Sequence, residues 1–561
     1  MTYSSLSSMH RATAERLGPR VALRSKRLGM YRDLSWADYR RDADRAAAAM
    51  IDLGIRPGDR VALLSENRPE WLVADIAILA TGAADVPLHA PLTPPQARYQ
   101  LAHSGARAIV VSNQRQAEKV LEVLDELPDL EFLISFEPVV MAGRIRQLTW
   151  DGLKSLGFGQ GPVALGRVRE REDAVTRDDL ATLIYTSGTT GPPKGVMLTH
   201  GNLLSNAEAT LETSPMQSSE VLLSWLPYSH IYARTVDHYL TVLSGAAVAM
   251  AESVDTLIAN LAEIQPTRLT AIPRFYEKVW LGVEGLEPEA RERQLRHIFG
   301  PRIRHLSSGG APLLRHVAEG FHAAGLPLLE GYGLTESSPV ISFNRLERYK
   351  LGSVGLAIPD VEVKIADDGE ILTRGPHVMQ GYWEDPEATR EAIVDGWLHT
   401  GDVGHLDGEG FLTITDRKKD LIITSGGKSI APSELERLLV SDPFIDQAVV
   451  FGDARPFVSA LIVPNFALLE SRANELGCPL ETAEGFIRTP ALNAFMADRV
   501  AGLMKVVSGP ERVKRFLLLA RAFGLEHDEL TLKLNVRRRH VLEKYAGALE
   551  ALYTEPSGTH S

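Results

Sequence analysis

Residues 60–88 decide the fold class, and they have the sequence RVALLSENRPEWLVADIAILATGAADVPL. Residues 60–64 form a short apolar run, which is typical of a buried strand. Residues 69–79 have the pattern of a helix, and residues 82–88 form a second apolar run. Because a strand, a helix and a strand follow one another, the stretch predicts α/β architecture with a sheet that is at least partly parallel.

The segments on either side repeat this alternation. In residues 35–53 the apolar side chains recur at steps of three and four, which predicts an amphipathic helix. Short apolar runs typical of strands return at residues 106–112 and 247–251. The sequence shows no repeat of fixed period, which argues against a solenoid. We therefore expect a large N-terminal α/β domain of stacked sheets and helices.

A second, smaller domain is predicted in the C-terminal part of the chain. The 561 residues exceed what one hydrophobic core normally supports. Turn residues cluster at residues 407–410, and residues 416–420 form a charged stretch of the kind that connects domains. We place the joint there, with an N-terminal domain over residues 1–416 and a C-terminal domain over residues 417–561.

The C-terminal domain is expected to be an α+β unit. A helix is predicted over residues 432–440, and strands are predicted at residues 447–451 and 459–463, within a unit of about 145 residues. The basic run at residues 537–540 is interpreted as the solvated start of a helix and not as a binding patch.

Charge and composition narrow the classes of partner. The net charge of −12 argues against nucleic-acid binding, because contact with phosphate backbones needs a basic face. With 44% hydrophobic and 24% charged residues, the chain has the composition of an ordinary globular protein. Its single cysteine, Cys478, cannot form an internal disulfide or provide a cysteine metal site. This usage fits a reducing compartment, so we expect a cytoplasmic protein.

Neither a cleavable signal nor a membrane span is predicted. Residues 1–30 carry repeated charges without a continuous apolar stretch. No segment approaches the roughly 18 consecutive apolar residues that are needed to span a bilayer. Peripheral contact with a membrane stays open as an alternative.

The strongest functional signal lies in residues 185–196, which have the sequence YTSGTTGPPKGV and follow an apolar run over residues 181–184. Three glycines let backbone amides converge on an anion, four serine and threonine hydroxyls supply further donors, and Lys194 adds a positive charge. The Walker A spacing is absent, because Gly195 follows Lys194 where that motif has Ser or Thr. A flexible surface loop is the alternative interpretation of such a composition. Its position directly after a buried strand favours a phosphate site.

This string resembles the signature of the adenylate-forming superfamily, which includes acyl-CoA synthetases, luciferases and peptide-synthetase adenylation domains. SGGAP at residues 308–312 resembles the family's adenine-contacting strand end, and GYGLTE at residues 331–336 resembles its next motif. The resemblance implies that Tyr332 stacks on adenine, Thr335 contacts the α-phosphate and Glu336 helps to hold Mg²⁺. These roles suit a ring, a hydroxyl and a carboxylate, although alone Gly-Tyr-Gly would be a turn and Glu336 a solvated charge.

The residues that the resemblance assigns to ATP lie in all three strings. They are Thr186, Ser187, Gly188, Thr189, Thr190, Gly191 and Lys194 in the first, Gly309, Gly310, Ala311 and Pro312 in the second, and Tyr332 and Gly333 in the third.

Two further residues resemble the family's ribose contacts. Asp402, at the end of TGD, matches the aspartate that accepts both sugar hydroxyls, and Arg417 matches the second contact. Lys419 falls at the family's hinge position, so the resemblance implies that the small C-terminal domain is mobile and rotates between half-reactions. Without the resemblance, an aspartate after a glycine is a turn residue and residues 416–420 are a solvated linker, which is the interpretation kept for Lys418.

Three more strings are similar to those of long-chain fatty acyl-CoA synthetases. They are LPYSH at residues 226–230, IPRFYEKV at residues 272–279 and ITSGGK at residues 423–428. The last string matters because fatty acyl-AMP ligases that serve carrier proteins usually differ after the hinge. The resemblance implies that His230 lines the acyl entrance, whereas a histidine by itself is more often a structural residue.

One stretch departs from the family pattern. Members carry near the C-terminus a lysine that reaches the substrate carboxylate and the α-phosphate, and an ungapped comparison puts Asn535 at that position. Lys533 lies two positions earlier. In an extended segment, residues two apart share a face and lie roughly 6.5–7 Å apart, which is about the reach of a lysine stem. Lys533 could therefore replace that lysine or lie in register through a two-residue deletion, and weakened adenylation is the opposite outcome.

The resemblance implies a two-step reaction with Mg²⁺ as cofactor and with a fatty acid, ATP and CoA as substrates. The carboxylate attacks the α-phosphate, pyrophosphate leaves, and acyl-AMP then passes its acyl group to the CoA thiol, with the protein mainly positioning groups and stabilising charge. Two alternatives stay open, namely an acyl-AMP ligase that feeds a carrier protein and an adenylate-binding protein with impaired catalysis. The implied catalytic residues are His230, Thr335, Glu336, Lys419 and Lys533.

Overall fold

The computed structural model describes residues 3–140, 144–159, 161–186, 192–425, 429–530 and 536–554. The chain divides into two units. The larger unit comprises Met1–Ala366, Leu372–Thr400 and Leu406–Thr413, and the smaller unit comprises Asp367–Ile371, Gly401–His405 and Ile414–Ser561. The joint between residues 416 and 417 stays a prediction, as does the mobility of the C-terminal domain.

The strands are numbered in chain order. They are β1 Val21–Arg27, β2 Met30–Ser35, β3 Arg60–Leu64, β4 Ala84–Leu88, β5 Ala108–Val111, β6 Phe132–Ser135, β7 Arg146–Thr149, β8 Leu180–Thr186, β9 Lys194–Thr199, β10 Val221–Ser224, β11 Ala247–Met250, β12 Arg268–Ala271, β13 His305–Ser308, β14 Leu328–Gly333, β15 Val340–Phe343, β16 Leu356–Ala357, β17 Glu362–Ile365, β18 Glu370–Arg374, β19 Gly381–Tyr382, β20 Ile393–Val394, β21 Trp397–Leu406, β22 Leu412–Arg417, β23 Ile422–Ile423, β24 Ser429–Ile430, β25 Ile445–Phe451, β26 Val458–Pro464, β27 Thr482–Ala483, β28 Phe486–Ile487 and β29 Val513–Leu518.

The α-helices are numbered in the same way. They are α1 Leu6–Leu17, α2 Trp36–Asp52, α3 Pro69–Ala80, α4 Pro94–Ser104, α5 Gln114–Glu122, α6 Trp150–Gly159, α7 Gly161–Ala174, α8 His200–Thr213, α9 Ile231–Ala233, α10 Leu240–Ser244, α11 Leu257–Ile264, α12 Pro273–Leu281, α13 Pro288–Phe299, α14 Arg315–Ala323, α15 Pro386–Ala392, α16 Pro432–Val440, α17 Phe466–Leu476, α18 Pro490–Leu503, α19 Arg538–Lys544 and α20 Ala546–Thr554.

The predicted elements are present, with small shifts at their ends. Strand β3 and helix α16 have the predicted bounds, and helix α3 is one residue longer than predicted. The strand predicted from residue 82 begins only at Ala84, because the chain still turns at Gly82, where φ is +78°. A glycine tolerates this left-handed conformation without strain, so the turn delays the strand.

An eight-stranded sheet of the larger unit carries the strand–helix–strand element of residues 60–88. Its order is β19-β9-β8-β4-β3-β5-β6-β7. The strands from β8 to β7 pair in parallel, whereas β9 pairs antiparallel with both β8 and β19. The prediction of a partly parallel sheet is therefore confirmed.

A nine-stranded sheet also belongs to the larger unit. Its order is β16-β15-β14-β13-β12-β10-β11-β1-β2. The strands from β14 to β1 pair in parallel, and antiparallel strands extend both edges. Large apolar side chains such as Trp36, Trp71 and Tyr239 are fully buried in one core cluster that includes residues from both sheets. With helices packed on these sheets, the predicted α/β class is confirmed.

Arg234 is a fully buried cation in this core. Its Nη2 lies 2.5 Å from Asp75 Oδ1 on α3 and 2.8 Å from Asp85 Oδ1 on β4, and its Nη1 donates to Thr182 Oγ1 on β8 at 2.8 Å. Burial raises the pKa of Asp75, and the nearby Asp85 carboxylate adds to the rise while the Arg234 guanidinium opposes it. Two buried carboxylates therefore depend on one guanidinium for their counter-charge.

The segment that carries Arg234 is a π-helix, Arg234–Tyr239, inserted between α9 and α10. It belongs to the connection between β10 and β11 of the nine-stranded sheet, whereas Asp85 and Thr182 belong to the eight-stranded sheet. The Arg234 contacts therefore join the two sheets.

The smaller unit has its own core. Strand β26 pairs antiparallel with β25 and parallel with β29, and helices α16 and α18 contribute buried residues such as Leu439 and Met496 to the same cluster. The predicted α+β character is present. Residues 537–540 do begin a helix, but Arg538 is not solvated as predicted, because its Nη2 lies 2.6 Å from the Glu436 carboxylate and its Nη1 donates to the Val450 carbonyl.

Among the described residues, no helix combines the length and apolar character needed to cross a lipid bilayer.

Replacement of Arg234 by glutamine should lower the free energy of unfolding of the larger unit by about 3–5 kcal/mol, because two buried carboxylates lose their counter-charge. Urea unfolding followed by tryptophan fluorescence measures the change. The control is Arg315→Gln, which removes an exposed ion pair with Glu319 and should stay within about 1 kcal/mol of the unaltered protein. A loss below about 1 kcal/mol for Arg234→Gln would contradict the role given to this guanidinium.

Candidate active site

The predicted phosphate-binding segment is held between two paired strands. Thr186, the last residue of β8, pairs with Lys194, the first residue of β9, and Tyr185 pairs with Gly195. The pairing of β8 with β9 therefore holds the two ends of the segment together. Ser187, Gly188, Thr189, Thr190 and Gly191 lie outside the described residues.

Helix α4 supports both ends of this hairpin. The Tyr99 hydroxyl donates to the Pro193 carbonyl at 3.0 Å, and a hydrogen bond of 2.9 Å joins His103 Nδ1 to the Tyr185 hydroxyl. Burial raises the pKa of Tyr185, so this phenol stays protonated. The Trp383 indole donates to the His103 carbonyl at 3.0 Å, and Trp383 N–H donates to the Gly195 carbonyl at 2.7 Å.

Lys194 and Glu336 both contact one aromatic residue, Tyr382. The Lys194 ammonium lies 5.0 Å from the centre of the Tyr382 ring and 3.9 Å from Asp385 Oδ2. The Tyr382 hydroxyl donates to Glu336 Oε1 at 3.0 Å. The structure thus brings the predicted lysine of the phosphate site and the predicted metal-binding carboxylate to the same residue.

The second and third predicted strings lie at the carboxyl ends of neighbouring parallel strands. Gly309 to Pro312 follow β13, and Tyr332 and Gly333 end β14, which pairs with β13. This edge is where open α/β sheets place their ligands. Thr335 and Glu336 come next, in a 3₁₀ turn, Thr335–Ser337.

Neighbouring atoms approach closely at two of these glycines. A Cβ on Gly309 would lie 3.0 Å from the Tyr232 hydroxyl, and a Cβ on Gly333 would lie 1.8 Å from the Pro339 carbonyl oxygen. The second contact is with backbone, which cannot move aside cheaply. Gly333 therefore lets β14 approach β15, with which it pairs.

His230 is half-buried beside a second imidazole, His89, with ring centres 4.0 Å apart. His89 follows the carboxyl end of β4, and its Nδ1 forms a 2.7 Å hydrogen bond with the Ser229 hydroxyl. The Asn67 side chain accepts from Tyr228 N–H and donates to the Leu226 carbonyl, which holds the backbone just before His230. The string at residues 226–230 is thus fixed by polar contacts from elements of the other sheet.

The predicted ribose residues are paired within the smaller unit. Arg417 Nε lies 3.1 Å from Asp402 Oδ1, and the Asp402 side chain is nearly buried while that of Arg417 is largely exposed. Gly401 N–H donates to Glu370 Oε1 at 2.9 Å, and Lys418 Nζ lies 2.8 Å from Glu370 Oε2. Lys418 is exposed, as its solvated interpretation expects, and its ammonium also lies 2.6 Å from Asp368 Oδ2.

Lys419 lies in a short 3₁₀ turn, Lys418–Asp420. Its side chain, together with Lys533 and Asn535, lies outside the described part of the chain.

Two family models match the chain. The AMP-binding enzyme model matches residues 10–383, and the AMP-binding enzyme C-terminal domain model matches residues 419–557. The first match alone covers more than half of the chain. This chain belongs to the AMP-binding enzyme family.

The chain is similar to known proteins over most of its own length and of theirs. A long-chain-fatty-acid–CoA ligase of Mycobacterium tuberculosis is 35% identical, with 94% of this chain and 93% of that protein covered. A long-chain-fatty-acid–CoA ligase of Xenopus laevis is 29% identical, with 97% and 83% covered. The solved structure of the anthranilate CoA ligase AuaEII in complex with anthranoyl-AMP has a TM-score of 0.77 at 20% identity, covering 98% of both chains, and shows the same fold.

Glu336 is the described side chain that fits the metal which the family implies. Mg²⁺ in nucleotide sites is usually held by one or two carboxylates together with substrate phosphates and water. A single half-buried carboxylate beside a hydroxyl donor suits that arrangement. Among the described residues, no group of three or more His, Cys, Asp or Glu side chains could hold a metal ion by itself.

Several residues that contact the candidate site of this AMP-binding enzyme were missed by sequence reasoning. His89 had a usable signal, because it directly follows a predicted strand, where open α/β sheets place functional side chains. Tyr382 and Trp383 had none. Tyr382 lies 46 residues beyond Glu336, outside every string that resembles the family, and only the pairing of β19 with β9 brings it to the site.

Replacement of Gly333 by alanine should weaken ATP binding by more than about tenfold, because the new Cβ overlaps a backbone oxygen and displaces Tyr332. Isothermal titration calorimetry with ATP measures the affinity, and thermal melting reports the accompanying loss of stability. The control is Gly166→Ala on α7, where a Cβ meets nothing within 4 Å, and it should leave ATP affinity unchanged. An affinity within twofold of the unaltered enzyme in Gly333→Ala would contradict this account.

Proposed function

We propose that this chain is an ATP-dependent fatty acid–CoA ligase that forms acyl-AMP and pyrophosphate and then transfers the acyl group to the thiol of CoA. The observation that carries the proposal is the 35% identity, over 94% of the chain, to a long-chain-fatty-acid–CoA ligase. The contacts of Lys194 and Glu336 with the same residue, Tyr382, support the proposal. A cation and a carboxylate are the groups that a triphosphate and its Mg²⁺ require.

In the proposed reaction the chain holds ATP with groups from several elements. Thr186 and Lys194 act at the two ends of the phosphate segment, Tyr332 stacks on adenine, and Thr335 donates to the α-phosphate. Glu336 would hold Mg²⁺, which when bound would supply positive charge to offset that of the phosphates. Asp402, paired with Arg417, accepts the ribose hydroxyls.

The acyl side of the reaction is assigned to His230. His230 and His89 meet edge to face and form a polar, half-buried surface, which suits a carboxylate head group followed by an apolar chain. No protein nucleophile is needed, because the substrate carboxylate and the CoA thiol are themselves the nucleophiles. The protein contributes orientation and charge stabilisation.

The proposal extends to the domain joint, the rotation of the C-terminal domain and the cellular compartment. The joint lies between residues 416 and 417, and the C-terminal domain turns about Lys419 between the two half-reactions. The single cysteine supports a reducing compartment, for which we propose the cytoplasm.

The purified enzyme, supplied with ATP, Mg²⁺ and fatty acids from short to long, should release pyrophosphate and, with CoA present, form acyl-CoA. Mass spectrometry of the products distinguishes acyl-AMP from the thioester. Accumulation of acyl-AMP without thioester would instead identify an acyl-AMP ligase, and absence of ATP–pyrophosphate exchange would identify an adenylate-binding protein without catalysis.

Lys533→Ala should slow adenylation by about a hundredfold or more if this lysine supplies the charge that Asn535 cannot. Thioester formation from supplied acyl-AMP should stay nearly intact, because that half-reaction does not use the lysine. The two half-reactions are measured separately, by pyrophosphate exchange and by conversion of acyl-AMP with CoA.

Two variants sharpen this test. Adding Asn535→Lys to Lys533→Ala should restore adenylation, because it returns a lysine to the family position. Lys505→Ala, an exposed lysine of the smaller unit, is the control and should change neither half-reaction. Equal loss in both half-reactions for Lys533→Ala, or loss in neither, would refute the assignment.

A further inference from the structure

Tyr382 contacts the carboxylate of Glu336 with its side chain. Its hydroxyl donates to Glu336 Oε1 at 3.0 Å. A hydrogen bond to a charged acceptor is stronger than one between neutral groups, and it fixes the direction of a side chain that would otherwise rotate. One oxygen of the carboxylate is thereby engaged by the protein.

The backbone around Tyr382 is tied to the same two strings of the site. Met379 N–H donates to the Glu336 carbonyl at 2.8 Å, Gln380 N–H donates to the Met197 carbonyl at 3.0 Å, and Trp383 N–H donates to the Gly195 carbonyl at 2.7 Å. The short strand β19 pairs with β9 in the register Tyr382↔Val196. The segment of residues 379–383 therefore joins Glu336 to the strand that begins at Lys194.

A turn after Tyr382 fixes its position further. Tyr382 N–H donates to the Thr389 hydroxyl at 2.9 Å, and the Thr389 hydroxyl donates to the Asp385 carbonyl at 2.8 Å. Asp385 is the N-cap of α15, where its side chain accepts from Ala388 N–H. The backbone of Tyr382 is thus held by a strand pairing and by the N-terminal end of a capped helix.

The ring also lies against the ammonium of Lys194, at 5.0 Å from its centre, which is within the range of a cation–π contact. Because an ionised carboxylate only accepts hydrogen bonds, the Tyr382 hydroxyl is the donor to Glu336. One side chain thus contacts a cation with its face and an anion with its hydroxyl.

We propose that Tyr382 is a positioning residue that holds the Glu336 carboxylate by Oε1, so that Oε2 is presented to the magnesium of bound MgATP, and holds the Lys194 ammonium over its ring. The proposal rests on the proposed function, because it assigns Glu336 and Lys194 to the nucleotide. Tyr382 acts through these two groups and not on the reacting atoms. It also couples them, since a shift of Tyr382 displaces both.

Tyr382→Phe is the sharpest test, because it removes only the hydroxyl and keeps the ring that Lys194 contacts. Binding of Mn²⁺ to the enzyme with a non-hydrolysable ATP analogue, followed by electron paramagnetic resonance, should weaken by roughly tenfold. The Mg²⁺ concentration that gives half-maximal adenylation should rise by a similar factor. Affinity for the analogue without divalent metal should stay within twofold, because Lys194 keeps its aromatic neighbour.

Tyr382→Leu tests the contact of the ring with Lys194 separately from the hydrogen bond to Glu336. It removes the ring as well, so affinity for the metal-free analogue should also fall, by roughly threefold to tenfold. The control is Tyr31→Phe, which removes a hydroxyl that donates only weakly to the Met250 carbonyl at 3.4 Å, and it should change neither metal binding nor nucleotide binding.

A double-mutant cycle shows whether Tyr382 acts through Glu336. In a Glu336→Gln background, adding Tyr382→Phe should change Mn²⁺ binding by less than about twofold, because the charged acceptor is already gone. Unchanged Mn²⁺ binding in Tyr382→Phe, or full additivity in the cycle, would overturn the proposal. Failure of the proposed function gives a different result, namely an unaltered enzyme that binds Mn²⁺ and the analogue but forms no acyl-AMP.

Discussion

The buried guanidinium of Arg234 is the contact on which the arrangement of the larger unit depends. It extends from the connection between β10 and β11 of one sheet to Asp85 and Thr182 in the other, and it also pairs with Asp75 on α3. A buried ion pair is costly to form, so it adds little net stability compared with apolar packing. Its value is geometric, because the charges can be satisfied in only one relative placement of strands β4 and β8 and the π-helical segment.

That placement sets the position of the site's two halves. Strand β8 leads directly to the predicted phosphate segment, while the π-helical segment directly follows His230 and α9. Arg234 therefore fixes the distance between the elements that are proposed to handle phosphate and acyl group. Tyr382 makes a similar link over a shorter distance. It joins strand β9 of the eight-stranded sheet to Glu336 in the turn after β14.

The fold was largely predictable from the sequence, because its elements are marked by local patterns. Strand β3 and helices α3 and α16 follow from apolar periodicity and from proline at the helix starts. Ion-pair partners were less predictable, as Lys418 and Arg538 show, because nothing in their charged runs indicates Glu370 or Glu436. These partners lie 48 and 102 residues away along the chain, and no local pattern reports contacts of that range.

The same difference applies to the candidate site. Its residues in short sequence strings were predicted, whereas residues that only the sheet topology brings there, such as Tyr382, were not.

The hairpin of β8 and β9 bears on how such an enzyme can change in evolution. Because Thr186 and Lys194 are paired, the strand ladder itself brings together the two ends of the segment between them. Substitutions within that segment should therefore alter turnover or nucleotide preference with little effect on folding, which leaves this part of the protein open to selection independently of its core.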